Sequence, residues 1–445
     1  MVGRITSSLL KGLVNNMIDI KAIRENPERF KKACKDKKIQ ADIDKLLQID
    51  STLADAKRKL QDIVTEKNRI GKIIPKATPD EKQRALSQLS SLKQQEIELN
   101  ETVKTLQPQF DEMMLYVAQP ADDDVPFGED DTQNVELRRE GNIRQFDFEL
   151  KDHVQLGLAL DIIDIERGVK LAGTRNYFLK GDGALLHWAV LRFAIDLMVS
   201  RGYVPMSVPL LMTNEAMRGT GYYPGSEEQT YRMEADQLSL AGTAEVPLTA
   251  YHMGEILNAD ELPKKYVGLS TCFRREAGAA GKDTYGLYRI HQFDKVEQVV
   301  VCENSVEQSN KFHEEILNNA EAVLKALELP YRVVVVCTGD LGRGQAKKYD
   351  IETWMPSRKN YGETHSASKF YDFQARRLNL RYKESKIKNP KSKIQFCHTL
   401  NNTVIASPRI LIPILELYQN ADGSITIPKV LRPYMNGRER IVRHS

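Results

Sequence analysis

The sequence predicts an α+β protein: an antiparallel sheet with flanking helices, preceded by a long antiparallel two-helix coiled-coil arm. Three observations lead there. Two heptad arrays lie between residues 42 and 115, separated by Gly71, Pro75 and Pro79, so one helix should fold back on another. From Pro120 onward, strand-like and helical runs mix without a regular βαβ repeat, which favours an antiparallel sheet over a Rossmann fold. A chain of 445 residues also exceeds what one hydrophobic core serves, so two or three domains are expected.

The arm comes first. Leu46, Leu53 and Leu60 repeat every seven residues, with Ile49, Ala56, Ile63 and Ile70 three positions later. In the second array Leu92, Leu99, Leu106 and Met113 form one row and Leu89, Val103 and Phe110 the other, with Glu96 the exception. A helix of about thirty residues is roughly 45 Å long, too slender for a compact core and suited to reaching a partner. Its outer half carries Lys57, Arg58, Lys59, Lys67, Arg69, Lys72, Lys76, Lys82 and Arg84 against Asp62, Glu66, Asp80 and Glu81, nine cations to four acids. That local excess suits an RNA phosphate backbone, and it equally suits a solvated face or a basic protein-binding arm.

Composition narrows the function classes. Hydrophobic content of 41% and charged content of 28% describe a globular protein. No run of about 18 apolar residues occurs, so no membrane span is expected. The formal charge of +3 is nearly neutral, so nucleic-acid contact must come from local patches. Cys34, Cys272, Cys302, Cys337 and Cys397 are odd in number and lack CxxC spacing, which reads as reduced thiols in an intracellular protein. Residues 1–16 hold Arg4 and Lys11 and no acid, a weak likeness to a mitochondrial presequence or a plain extension. The domains expected are this leader, an arm domain over 17–120 and a sheet-containing domain over 121–445, which the resemblance described below makes the catalytic one.

In the second domain, residues 188–199, 305–327 and 406–420 read as helices. Residues 202–209, 296–302 and 332–337 read as strands. The densest chemistry lies in 272–297, where 267–273 and 287–293 read as two strands joined by a mobile Gly-rich loop carrying Lys282 and Asp283. Arg274 offers a planar fork to a phosphate, Glu276 accepts from an exocyclic amine, Phe293 stacks on a flat base, and Glu297 accepts from an ammonium or hydroxyl. A salt-bridged exposed hairpin would contain the same residues.

Three further clusters hold polar groups of a site. Thr243-Ala-Glu245 puts a hydroxyl and a carboxylate on one face if extended. Glu363-Thr-His-Ser366 precedes Asp372-Phe-Gln-Ala-Arg-Arg377, where a carboxylate could hold a metal and two arginines an anion. Leu400-Asn-Asn-Thr403 leads to Arg409, placed on the last helix and able to reach a triphosphate. Singly, each is also explained as a cap, a surface pair or a buried hydrogen bond. Neither GxGxxG nor GxxxxGK[ST] occurs.

From Met17 onward the chain resembles the seryl-tRNA synthetases, a family of class II aminoacyl-tRNA synthetases. The matching segments are Ile18-Asp-Ile-Lys-Ala-Ile-Arg-Glu-Asn-Pro27, the arm, Thr243-Ala-Glu245, Phe273-Arg-Arg-Glu-Ala-Gly278, His291-Gln-Phe-Asp-Lys-Val-Glu297, Asp372-Phe-Gln-Ala-Arg-Arg377 and Leu431-Arg-Pro-Tyr434. The resemblance implies a six- or seven-stranded antiparallel catalytic sheet, a homodimer without membrane attachment, and ATP with Mg²⁺. It implies activation of L-serine to seryl-adenylate and transfer to the 3′ end of tRNA-Ser, in the cytoplasm or alternatively in mitochondria. The arm would grip the long variable stem of that tRNA through Lys67, Arg69 and Lys72.

By the same resemblance Arg274, Arg409 and Glu363 are catalytic. ATP would meet Arg274, Arg275, Glu276, Phe293, Glu363, Thr364, His365, Ser366 and Arg409, and Mg²⁺ would meet Glu363 and Ser366. Serine would meet Thr243, Ala244, Glu245, Glu297 and Thr403. The chain also departs from the family pattern. Tyr285 stands where an arginine is usual, His365, Ala367 and Lys369 interrupt Glu-x-Ser-Ser-Cys-Ser-Asn, and Asn402-Thr403 replaces Gly-Ser, adding bulk beside the serine. A second reading follows from these departures: a catalytically weak paralogue serving as a dimer partner or RNA-binding protein.

Overall fold

The computed structural model describes residues 18–278, 285–384 and 394–443. The leader, Met17, Lys282 and Asp283 lie outside the described residues. Two compact units divide at Ala118 and Gln119.

The arm unit contains α1 (Ile43–Ile73) and α2 (Pro79–Tyr116), 31 and 38 residues long. Asp42 caps α1 by accepting from the Lys45 amide at 2.9 Å. A capping box between Thr78 and Glu81 starts α2, with Pro79 at its first position. Gly71 does not end α1. The reversal falls to a 3₁₀ turn, Ile74–Lys76. Leu46, Ile49, Leu53, Ala56, Ile63 and Ile70 are buried on α1, as the heptads require. Glu96, the odd member of the second array, is explained by its ion pair across the seam to Lys67.

The second unit is built on eight strands: β1 (Val135–Glu140), β2 (Val204–Ser207), β3 (Lys264–Phe273), β4 (Gln292–Cys302), β5 (Tyr331–Val335), β6 (Lys347–Met355), β7 (Asn360–Tyr371) and β8 (His398–Ser407). Their order is β1-β5-β6-β7-β8-β4-β3-β2. Every pairing is antiparallel except β2 with β3. The sheet therefore exceeds the six or seven strands expected. Helices α3 (Asp182–Ser200), α4 (Glu245–Ala250), α5 (Val306–Ala326) and α6 (Leu411–Leu417) pack around it.

The pleat of β4 feeds two cores. Val296 and Val300 pack with Leu186 and Val190 of α3 and with Ile316 and Ala320 of α5. Val299 and Val301 join Leu248, Tyr266, Ala375 and Leu378 in the second. Each buried aliphatic side chain contributes about 1.5–3 kcal/mol. Residue by residue toward the strand's start, the second face changes from Val301 and Val299 to Glu297, Lys295 and Phe293, so the apolar core gives way to a polar floor. By length and composition α3 could cross a membrane, but half of it is buried in the core.

Several elements differ from expectation. Residues 287–291 run through a turn and bends, and the strand begins only at Gln292. Ala406 and Ser407 still belong to β8, and the last helix is confined to Leu411–Leu417. Glu245 opens a helix, so Thr243 and Glu245 are not extended neighbours on a strand face.

Candidate active site

At one end of the cleft, charges gather around β4. Thr403 on β8 lies opposite Glu297 in register, and its hydroxyl donates to Glu297 Oε2 at 3.2 Å. Lys295 Nζ sits 2.5 Å from the same oxygen and 3.4 Å from Thr403 Oγ1. Glu245 supplies a second buried carboxylate: Tyr222 donates to Oε2 and Gln374 to Oε1, both at 2.8 Å. Thr399 in turn holds Gln374 at 2.7 Å. Burial, reinforced by the charge of Glu297, pushes the Glu245 carboxyl up to about 7 despite these hydrogen bonds. Arg274 leaves the end of β3 with its guanidinium 5.2 Å from the Phe293 ring centroid and its Nε donating to the Gly242 carbonyl at 3.3 Å.

The other end is lined from β6, β7 and the turn after β8. Arg409 donates to the carbonyls of Glu363 and Tyr288, each at 3.0 Å, and covers the Tyr288 ring at 4.5 Å. Lys348 pairs with Asp350 at 3.0 Å. Burial alone would push the Glu363 carboxyl up, but Lys348, Arg409 and Arg274 outweigh it and hold Glu363 below its ordinary value. An ionised Glu363, with the Ser366 hydroxyl in the same lining, suits one flank of a Mg²⁺ shell, with phosphate oxygens and water supplying the rest. Among the described residues no cluster of three His, Cys, Asp or Glu could hold a metal by itself. Glu276 adopts a left-handed backbone, φ +50°, fixed by Arg289 on its carboxylate at 2.7 Å and Arg175 on its carbonyl at 3.1 Å.

One cleft gathers Glu245, Arg274, Glu276, Phe293, Glu297, Glu363, Thr364, His365, Ser366, Thr403 and Arg409. Thr364 and His365 are tied to one another, the ring at 2.8 Å from the hydroxyl, and Thr364 meets Thr353 at 2.7 Å. Burial drives the His365 ring down to about 3, so it stays neutral. Arg275 is exposed and outside the lining, while Thr243 and Ala244 are buried beneath it. Thr243 accepts from the Glu245 amide at 3.2 Å. Arg409 lies in the turn at 408–410 and not on the last helix.

The segment at 372–377 works differently from the expected metal and anion site. Asp372 pairs with Arg376 at 2.6 Å, and the Arg376 and Arg377 guanidinium groups lie over Phe396 and Phe373 at 4.7 and 4.1 Å. Its contribution to the cleft is Gln374.

Of the departures from the family pattern, Thr403 and His365 line the cleft, whereas Asn402, Ala367, Lys369 and Tyr285 lie outside its lining. Asn402 accepts from Gln298 at 2.6 Å and donates to the Ser366 carbonyl at 2.9 Å, on the opposite side of β8 from Thr403, so its bulk does not enter the pocket. Ala367 is its cross-strand partner. Lys369 is buried against Asp122 at 2.5 Å. Tyr285 donates to Asp152 at 3.1 Å and is 62% exposed.

Sequence reasoning missed Tyr222, Lys295, Lys348 and Gln374, all part of the lining or of its support. Lys295 could have been found, since it shares the period-two face with Phe293 and Glu297. Tyr222 carries no such signal.

With that geometry in place, comparison with known proteins is specific. Residues 229–418 match the tRNA synthetase class II core domain (G, H, P, S and T). A Giardia lamblia prolyl-tRNA synthetase structure shares the fold at 13% identity, with a TM-score of 0.54 over 63% of this chain and 55% of its own. The catalytic unit is a class II aminoacyl-tRNA synthetase core. Residues 17–119 match the seryl-tRNA synthetase N-terminal domain. The serine–tRNA ligase of Deinococcus radiodurans is 46% identical over 430 residues, 95% of this chain and 98% of that one. The crystal structure of seryl-tRNA synthetase from Pyrococcus horikoshii complexed with ATP superposes with a TM-score of 0.90 at 36% identity, covering 96% and 100% of the two chains. The chain belongs to the seryl-tRNA synthetase family.

Proposed function

We infer that this protein is a serine–tRNA ligase: it activates L-serine with ATP to seryl-adenylate and transfers the seryl group to the 3′ end of tRNA-Ser. The observation that carries this reading is the charge division of the cleft. Buried carboxylates Glu245 and Glu297 with Thr403 stand at one end, countered there by Lys295, while the cations Arg274, Lys348 and Arg409 outnumber Glu363 in the rest of the lining, which Phe293 shares. The first end suits an ammonium and a hydroxyl, the second a triphosphate.

The reaction needs no protein nucleophile. A serine carboxylate oxygen attacks the α-phosphorus and pyrophosphate leaves. Arg274 opposes the charge that develops at the α-phosphate, Arg409 holds the outer phosphates, and Phe293 and Glu276 take the adenine face and amine. Glu363 and Ser366 would hold Mg²⁺, which neutralises phosphate charge when bound. Thr403 and Glu297 discriminate against alanine, which would leave their buried polar groups unpaired.

The arm binds the tRNA in this reading. Of the three expected contacts Arg69 and Lys72 are exposed, Arg69 in a surface pair with Glu66 at 2.7 Å. Lys67 contributes from the seam. A cytoplasmic homodimer is part of the same proposal. The accommodation of Asn402, Ala367 and Lys369 outside the serine end favours an active enzyme over a weak paralogue.

Serine-dependent ATP–pyrophosphate exchange, followed by charging of total tRNA, tests the assignment. Robust exchange with serine and little with alanine is expected. Folded protein with no exchange above background would leave only the paralogue reading.

A further inference from the structure

We propose that Lys295 is a placeholder cation, neutralising the amino-acid pocket of the free protein and passing to the substrate carboxylate when the substrate ammonium takes over Glu297. The proposal rests on the serine-activating reading of the cleft.

Lys295 is 6% exposed, and its ammonium stands where a bound amino acid would place its own cation, 2.5 Å from Glu297 Oε2 and 3.4 Å from the Thr403 hydroxyl. Without it, Glu297 would be a buried carboxylate, 2% exposed, with only a hydroxyl for company. Glu245, whose oxygens already accept from Tyr222 and Gln374, shares the ammonium's charge with Glu297 rather than taking it alone.

An arriving zwitterion therefore creates a conflict. Two ammonium groups on one buried carboxylate repel, and the substrate carboxylate enters a pocket end holding two like charges. One exchange resolves both: the substrate ammonium replaces Lys295 on Glu297, and the freed Lys295 meets the substrate carboxylate. Lys295 suits the move because its flexible four-carbon stem carries a compact charge, whereas Arg274 is pinned between the Gly242 carbonyl and the Phe293 ring. No proton is transferred. Lys295 then holds the attacking carboxylate while Arg274 stays with the α-phosphate.

The test compares equilibrium binding of L-serine with that of L-serinamide, which keeps the ammonium and hydroxyl but lacks the negative carboxylate. It uses the full-length protein and its Lys295→Met and Lys295→Arg variants. In the unaltered protein, serine should bind about tenfold more tightly than serinamide, as expected for one charge-assisted contact. Lys295→Met should bring the two within about threefold, mainly by weakening serine, while ATP binding changes less than about twofold. Lys295→Arg should restore part of the preference.

Equal loss of serine and serinamide affinity in Lys295→Met would overturn the proposal, showing that Lys295 only holds the pocket's shape. So would an unchanged preference. If Lys295→Met fails to fold, the Lys295→Arg ratio decides: a preference that does not respond to the altered cation overturns it. Absence of serine-dependent exchange in the unaltered protein would instead remove the serine reading itself, and this proposal with it.

Discussion

The coiled-coil arm and the catalytic sheet place charge next to apolar surface in opposite ways. In the arm, Glu96 interrupts the seam and meets Lys67 from the facing helix, with the two side chains 32% and 25% exposed. Solvent screens such a pair, and its worth is at most about 1 kcal/mol. On β4, Glu297 sits among apolar strands and is fixed by Lys295 and Thr403 from two positions of the sheet. The arm tolerates a polar intrusion because water is near. The sheet retains its charges only because distant segments converge on them. Substitutions in the arm should therefore act locally, and substitutions in the cleft should act through every partner.

The largest effect expected from this contrast is at Arg274. Arg274→Ala should lower kcat/KM for serine-dependent pyrophosphate exchange by about 10²–10³-fold, the scale seen when one oriented charge-stabilising donor is removed. Hydrogen-exchange protection of α1 and α2 should not change. Loss of arm protection in this variant would mean that the two units are energetically linked, and the contrast would fail.

The next effect is a pH dependence carried by Glu245. Its carboxyl is pushed up to about 7 by burial and by Glu297. Below that pH it is protonated and cannot attract the serine ammonium, so kcat/KM for serine should fall about tenfold per pH unit as pH drops below 7. Glu245→Gln should abolish this inflection and fix activity near the low-pH level. Stability responds with the opposite sign. The folded state retains a proton that the unfolded chain releases from about 4.5 upward, so unfolding free energy declines as pH rises from about 4.5 to 7. A pH profile for exchange that is flat between 6 and 8 would contradict the assignment.

What the sequence made legible divides along the same line. Heptad spacing located both arm helices, because a seam repeats one local rule many times. Motif residues such as Arg274, Phe293, Glu297, Glu363 and Arg409 were legible singly, yet their joining in one cleft depends on strand order. Residues 287–291 illustrate the limit: an apolar run there looked like a strand, but tertiary contacts fold it into a turn and bends. His153 accepts from the Leu287 amide at 3.2 Å, and Gly286 is left-handed with its Cβ position only 2.1 Å from the His153 ring. Asn402 was misread for a related reason. Its identity suggested bulk beside the substrate, and only the β8 pleat shows that it turns toward Gln298.

The smallest effect belongs to the seam itself and tests the contrast from the other side. Replacing the pair by Lys67→Met with Glu96→Leu continues the apolar rows on both helices. A partly exposed ion pair costs little to remove, and a leucine in a coiled-coil seam adds buried area, so the arm should gain about 0.5–1 kcal/mol. In the full-length protein this would appear as a few-fold slower hydrogen exchange in α1 near residue 67 and in α2 near residue 96, at the stated scale of local opening. Serine-dependent exchange should stay as it was. The corresponding apolar swap at Lys295 and Glu297 would remove activity altogether, because those charges are held for the substrate and not for the fold. If the seam variant instead loosens the arm, Glu96 and Lys67 are specifying helix register, and the arm relies on fixed charge as much as the sheet does.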